Sequence, residues 1–116
     1  MKEIIEHPFV KEYIERIRIE VPMTDIYEQL AEEALELSQA AIKMSRLESE
    51  TNPTGKTREE AINNLREEYT DVLNIAMRIL EIEPDWLQGD YKMMRWCKRI
   101  DRAKKKESNG INENRD

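Results

Sequence analysis

The stretch IYEQLAEEALELSQAAIKM, residues 26–44, predicts a long amphipathic helix. Apolar side chains recur in it every three or four residues, which is the spacing of one helix face. That face carries Ile26, Leu30, Leu37, Ala41 and Met44. Glu33 falls on the same face, and Glu36 follows three residues later, so the two carboxylates are neighbours on the helix surface.

A second segment, residues 62–79, repeats this arrangement. Its apolar face runs through Ile62, Leu65, Val72, Ile75 or Ala76, and Ile79. Glu68 lies on that face and Asp71 follows three residues later. A charged, unpaired carboxylate on a core-facing stripe costs several kcal/mol. Bound Mg²⁺ or Mn²⁺ would remove that cost, because both ions prefer oxygen ligands.

The signals between the two segments predict an antiparallel helical hairpin. Asp25 with Glu28, and Thr57 with Glu60, have the spacing of capping boxes at helix starts. We therefore expect one helix from the first box to about Glu48 and another from Thr57 to about Ile82, joined by a loop over residues 49–56. Glu36 and Glu68 are equally distant in sequence from Asn52 at the centre of that loop, so the two carboxylate pairs should face each other.

The remaining chain predicts a short N-terminal helix and a third long helix. The first runs roughly from Pro8 to Ile19, and the other starts near Pro84 and runs to Ala103 or beyond. We expect one helical domain over residues 1–106 and a polar C-terminal tail over 107–116. The fold class is all-α, with a four-helix-bundle-like core completed by oligomerisation, as a homodimer or a homotetramer.

Composition supports these expectations and restricts the function. The chain has 116 residues, is 39% hydrophobic and 38% charged, and contains only three glycines and four prolines, a balance typical of helical proteins. The net charge is −6, although residues 91–106 carry eight basic residues against Asp101 alone. One basic helix on an acidic body argues against a nucleic-acid partner, which needs a broad basic face.

Location and cofactor chemistry are bounded in the same way. No apolar run is long enough for a membrane span and no secretory signal is visible, so we expect no membrane partner and a cytoplasmic location. The single cysteine, Cys97, provides neither a disulfide framework nor a thiolate zinc site.

The order Glu-Glu-x-x-Glu, followed by Glu-x-x-Asp on a later helix, resembles the MazG-like all-α nucleoside triphosphate pyrophosphohydrolases, in particular their phage and Firmicute-type members. The resemblance extends over roughly residues 24–102 and is carried by residues 28–43, 52–54, 64–73 and 92–96. The interval between the carboxylate pairs, residues 37–67, is longer than in compact members of the family. The resemblance implies a Mg²⁺-dependent enzyme, with Mn²⁺ as an alternative ion, that cleaves a nucleoside triphosphate to a monophosphate and pyrophosphate.

The resemblance also implies roles for individual residues. Glu33, Glu36, Glu68 and Asp71 resemble the metal ligands, and Glu32 is the candidate that orients or deprotonates the attacking water. Asn74 could hydrogen-bond the sugar or base of the substrate. The cations that could contact its phosphates are Lys92, Arg95 and Arg99.

Two other classes of protein compete with this interpretation. In a non-enzymatic helical bundle, an interaction or regulatory module, the glutamate pairs would be solvated surface residues. A di-iron carboxylate bundle requires Glu-x-x-His motifs. The only histidine, His7, lies outside the long helices and therefore argues against di-iron chemistry.

Overall fold

The computed structural model describes residues 6–49 and 57–113, and every regular element in these ranges is helical. The elements are α1 (Val10–Glu20), α2 (Met23–Ser49), α3 (Arg58–Leu73), a π-helical segment (Asn74–Ile79) and α4 (Trp86–Glu113). The all-α prediction is confirmed for this part of the chain. The chain divides into two compact units, one ending at Glu83 and one beginning at Pro84.

Helices α2 and α3 form the antiparallel hairpin of the first unit. Near the interhelical connection, Arg58 at the start of α3 forms an ion pair with Glu48 at the end of α2. Farther along, Glu36 of α2 reaches Glu68 of α3. Residue numbers that rise along one helix therefore fall along the other, which confirms the predicted direction.

Two alanines are among the most buried residues of this hairpin. Ala40 of α2 is 2% exposed and Ala61 of α3 is 4% exposed, so the helix backbones can approach closely at these positions. The sequence pattern assigned Ala41 to the packing face, but Ala41 is exposed. Adjacent helix positions differ by about 100° of rotation, and the face in contact with α3 passes through Ala40 instead.

The starts of the two long helices differ from each other. Thr57 accepts a hydrogen bond from the Glu60 backbone N–H at 3.2 Å, which confirms the predicted cap of α3. The predicted cap at Asp25 is wrong, because α2 already begins at Met23. The backbone N–H of Asp25 donates to the Pro22 carbonyl, so the chain enters the helix directly from the proline.

The second hairpin helix changes its geometry before it ends. The sequence predicted an α-helix to Ile82, whereas the chain is π-helical after Leu73, with the Leu80 N–H donating to the Ile75 carbonyl at 2.9 Å. Glu81 then adopts a left-handed conformation with φ of 57°, which ends the helix.

Helix α1 is attached to this helix end through Arg18. Its guanidinium donates to the carbonyls of Ile79 at 2.9 Å and Arg78 at 2.5 Å, and it pairs with the Glu81 carboxylate at 2.8 Å. The terminal carbonyls of a helix have no partner within the helix itself. One arginine therefore satisfies the helix end and holds the first helix in place.

The second unit consists of α4. The Gln88 N–H donates to the Asp85 side chain at 3.0 Å, so an aspartate caps the helix start. The helix continues to Glu113, so residues 107–113 of the predicted polar tail are helical. Within the described ranges, no helix combines the length and apolarity that crossing a membrane requires.

Candidate metal centre

The hairpin brings four carboxylates together. Glu33 and Glu36 lie on α2, and Glu68 and Asp71 lie on α3. One carboxylate oxygen of each residue lies within 4.8 Å of the corresponding oxygens of the other three. The two i, i+3 pairs thus face each other as the sequence spacing predicted, while their function as metal ligands stays a prediction.

Two oxygens of this cluster are buried without a partner. The Oε2 atoms of Glu33 and Glu68 are shielded from solvent, and neither has a hydrogen-bond partner among the described residues. A buried acceptor left unsatisfied costs about 1–3 kcal/mol, and more when it is charged. The hairpin therefore carries a local cost at its centre that a bound cation would relieve.

A neighbouring amide supports one of these glutamates. Gln29, one turn before Glu33 on α2, donates from Nε2 to the Glu33 Oε1 at 2.8 Å. This hydrogen bond directs the two oxygens of Glu33 differently, since Oε1 is occupied and Oε2 is not. Sequence reasoning missed Gln29, although its i, i+4 spacing from Glu33 was a usable signal.

Crowding of the carboxylates alters the acidity of Glu36. Its hydrogen bond with Glu68 and the negative charge of Glu68 raise the pKa of Glu36 above the ordinary value of 4.5. Partial desolvation and the charge of Asp71 raise it further, whereas a hydrogen bond with Glu33 acts in the opposite direction. Glu36 is exposed, so neighbouring carboxylates rather than burial provide the main effect.

The donor set fits a hard divalent cation. All four candidate ligands are carboxylates, which suit Mg²⁺ and Mn²⁺ and contain none of the sulfur or imidazole donors that softer metals select. A divalent cation would also offset the repulsion among four acidic groups. These two features, together with the two unpartnered buried oxygens, are the structural arguments for a metal centre at this position.

The other predicted site residues occupy three different settings. Glu32 is exposed on α2 next to Glu33, and Asn74 begins the π-helical segment one turn after Asp71. The Asn74 Oδ1 accepts a hydrogen bond from Arg78 at 3.2 Å. The predicted phosphate contacts belong to α4 in the second unit and are all exposed: Lys92, Arg95 and Arg99.

The π-helical segment is a feature of the site that the sequence did not reveal. It begins directly after the α3 residues that carry Glu68 and Asp71, and single π-helical turns are frequent at functional sites. Arg78 in this segment connects Asn74 to Glu6, whose carboxylate it contacts at 3.1 Å. Asn74 is thus oriented by a partner within its own segment.

Comparison with known proteins adds no assignment, since no protein-family model, curated protein or solved structure matches the chain.

Proposed function

We propose that this protein is a Mg²⁺-dependent nucleoside triphosphate pyrophosphohydrolase, which converts a nucleoside triphosphate and water to the monophosphate and pyrophosphate. The observation that supports this function best is the four-carboxylate cluster with its two buried, unpartnered oxygens. The resemblance of residues 24–102 to the MazG-like enzymes suggests the reaction, and the cluster offers oxygen ligands for its cation. The proposed setting is cytoplasmic nucleotide metabolism.

In this proposal the hairpin holds the cation through Glu33, Glu36, Glu68 and Asp71. Bound Mg²⁺ would neutralise the triphosphate and the charge that develops on it, and would lower the pKa of a bound water. The four carboxylates project from two facing helices, and one oxygen of each lies within 4.8 Å of the others, which supports binding of a single ion. Phosphoryl transfer depends chiefly on such positioning and charge stabilisation.

The remaining residues act on water and substrate. Glu32, which is exposed beside the cluster, accepts a proton from the attacking water or orients it. Asn74 offers its amide to the sugar or base. The basic residues of α4 contribute positive charge for phosphate oxygens through Lys92, Arg95 and Arg99.

The decisive experiment compares two neighbouring glutamates of α3. Glu68 belongs to the cluster and is half-buried, whereas Glu67 is exposed and lies outside it. Glu68→Gln and Glu67→Gln remove the same charge from adjacent positions of one helix. A panel of canonical and modified nucleoside triphosphates is incubated with each protein and Mg²⁺, and pyrophosphate and orthophosphate are measured separately.

We expect wild type and Glu67→Gln to release pyrophosphate from at least one substrate. Glu68→Gln should be slower by about 100-fold or more, since each ligand supports the whole constellation. Excess EDTA should stop the reaction. Orthophosphate as the first product, activity that survives EDTA, or equal rates for the two variants would each refute the proposed mechanism.

A further inference from the structure

The two half-buried glutamates of the cluster, Glu33 and Glu68, differ in what holds them. Gln29 lies four residues before Glu33 on α2 and donates from Nε2 to the Glu33 Oε1 at 2.8 Å. Asn64 lies four residues before Glu68 on α3, but within the described ranges it donates no hydrogen bond to Glu68. One glutamate is therefore restrained by an amide from outside the cluster, and the other is not.

The hydrogen bond from Gln29 divides the two oxygens of Glu33. Oε1 is occupied by the amide, whereas Oε2 is buried and has no hydrogen-bond partner among the described residues. Gln29 precedes Glu33 by about one helical turn and Glu36 follows it by about one turn, so the amide lies on the side of Glu33 away from Glu36. Oε1 is thus held by a residue outside the cluster, and Oε2 is the oxygen left for a cation.

A carboxylate held in this way is suited to contact a metal ion through one oxygen. Contact through both oxygens would require Glu33 to turn Oε1 away from Gln29. Mg²⁺ requires six ligands in a nearly ideal octahedron at about 2.0–2.1 Å, whereas Ca²⁺ takes about six to eight oxygens at about 2.3–2.6 Å and often uses both oxygens of a carboxylate. Selection between the two ions depends on the number and the flexibility of the ligands.

We propose that Gln29 is a positioning residue that makes the carboxylate cluster selective for Mg²⁺ over Ca²⁺, because it holds Glu33 as a ligand with one available oxygen. Gln29 does not itself contact the ion. Groups that hydrogen-bond to metal ligands typically change metal affinity by about 10–100-fold when they are replaced. This inference rests on the cation site of the proposed function, but it does not depend on the reaction that the site performs.

The role of Gln29 can be separated from the stability of the fold. Gln29 is exposed, and its hydrogen bond joins two residues of the same helix, a type of pair that stabilises a helix only weakly. The buried residues of α2 are Ile26 and Ala40, which a change at position 29 leaves intact. Loss of the hydrogen bond should therefore alter the orientation of Glu33 without unfolding the hairpin.

The test compares the same substitution at two positions of α2. Gln29→Met removes the donor but retains an unbranched side chain with a high helix propensity. Gln39→Met is the matched control, because Gln39 is exposed on the same helix, outside the cluster, and has no hydrogen bond to another described residue. The metal-free proteins are titrated with magnesium chloride and with calcium chloride by isothermal calorimetry. The rise in Tm with each ion is a second measurement, and circular dichroism checks helicity.

We expect wild type and Gln39→Met to bind Mg²⁺ more tightly than Ca²⁺ and to have the same two dissociation constants. Gln29→Met should bind Mg²⁺ about 10-fold more weakly or worse. Its affinity for Ca²⁺ should stay the same or rise, since a released Glu33 can turn both oxygens towards the larger ion. The ratio of the two dissociation constants should therefore shift towards Ca²⁺ by about 10-fold or more.

The outcomes that contradict the role of Gln29 differ from those that contradict the cation site. An equal loss of affinity for both ions in Gln29→Met, unchanged affinities for both, or a wild type that prefers Ca²⁺ would each overturn the selectivity role while leaving a cation site in place. A wild type that binds neither ion would refute the cation site itself, and with it both this inference and the proposed function.

Discussion

Replacing Glu68 by glutamine should make the metal-free protein more stable. The Oε2 of Glu68 is buried without a hydrogen-bond partner among the described residues, and its carboxylate group contacts that of Glu36 across the hairpin. Two full charges at 4.8 Å, the upper limit of the separations within the cluster, repel by about 1–3 kcal/mol at an effective dielectric constant of about 20–80. Glutamine keeps the shape of the side chain and removes this repulsion, although it leaves a buried amide that must find partners.

The expected gain in the free energy of unfolding is therefore about 1–2 kcal/mol. For a domain of this size, each kcal/mol corresponds to a rise in Tm of about 4 °C. In EDTA, Glu68→Gln should melt about 4–8 °C above wild type. Glu67→Gln, which removes the exposed charge of the adjacent residue, should change Tm by less than about 2 °C.

Addition of Mg²⁺ should raise the Tm of wild type above that of Glu68→Gln. A ligand at one hundred times its dissociation constant stabilises the folded state by about 2.7 kcal/mol. Wild type and Glu67→Gln should gain this stabilisation, whereas Glu68→Gln should gain much less. Thermal melts followed by circular dichroism, with EDTA and then with increasing Mg²⁺, measure both effects. Equal Mg²⁺-induced shifts in all three proteins would refute the metal assignment, and a Glu68→Gln protein less stable than wild type in EDTA would refute the repulsion argument.

Four further outcomes are expected. Glu32→Gln should reduce turnover but keep the wild-type rise of Tm with Mg²⁺, because the proposal gives this residue a role towards water; a lost Tm shift would make it a ligand instead. Thr57→Ala should lower the free energy of unfolding by about 1 kcal/mol in urea titrations through loss of the cap at Glu60, whereas Thr57→Ser should retain it. Arg18→Met should lower the free energy of unfolding by about 2–3 kcal/mol, because the carbonyls of Arg78 and Ile79 lose a charged donor. The control Arg16→Met breaks only an exposed ion pair with Glu20 and should lower it by less than about 1 kcal/mol. The pKa of Glu36 is raised in the folded protein, which therefore binds this proton more tightly than the unfolded chain. In EDTA, the free energy of unfolding should fall as pH rises above about 4.5 towards that raised pKa. Urea titrations across this pH range should show a smaller fall for Glu36→Gln than for wild type.

The hairpin and its facing carboxylates were predictable because both depend on local periodicity. Glu33 and Glu68 each interrupt an apolar stripe of spacing three and four, and that pattern specifies the helix face on which a side chain lies. Equal sequence distances from the connection then place Glu36 and Glu68 at the same height. Both predictions used only the two hairpin helices and the connection between them.

The features that the sequence did not predict depend on longer-range or finely balanced effects. Arg18 donates a hydrogen bond to the carbonyl of Arg78 near the end of the π-helical segment. The two residues are 60 positions apart in the sequence. Nothing in residues 74–79 alone signals that partner. The choice between Ala40 and Ala41 as the packing residue depends on the phase of one helix against another, and two adjacent alanines provide no local basis for choosing.

The length of α4 illustrates a different difficulty. The segment 107–113 has no apolar face, so periodicity indicated a tail, yet it is helical. Continuation of an existing helix needs no packing face, because adding a residue to a formed helix is far easier than starting one. The apolar pattern therefore underestimated how far α4 would extend.

The contrast between adjacent glutamates favours the metal interpretation over a non-enzymatic bundle in which the glutamate pairs are solvated surface residues. If the glutamate pairs were solvated surface residues, Glu33 and Glu68 should be as exposed as their neighbours Glu32 and Glu67. Instead, the neighbours are exposed, and Glu33 and Glu68 are half-buried with one orphaned oxygen each. A fold selected only for stability would place apolar residues at two such positions on the packing faces of a hairpin. Retaining unpartnered acids there is expected where a functional site departs from the pattern that stability favours, and a divalent cation is the ligand that would satisfy both oxygens together.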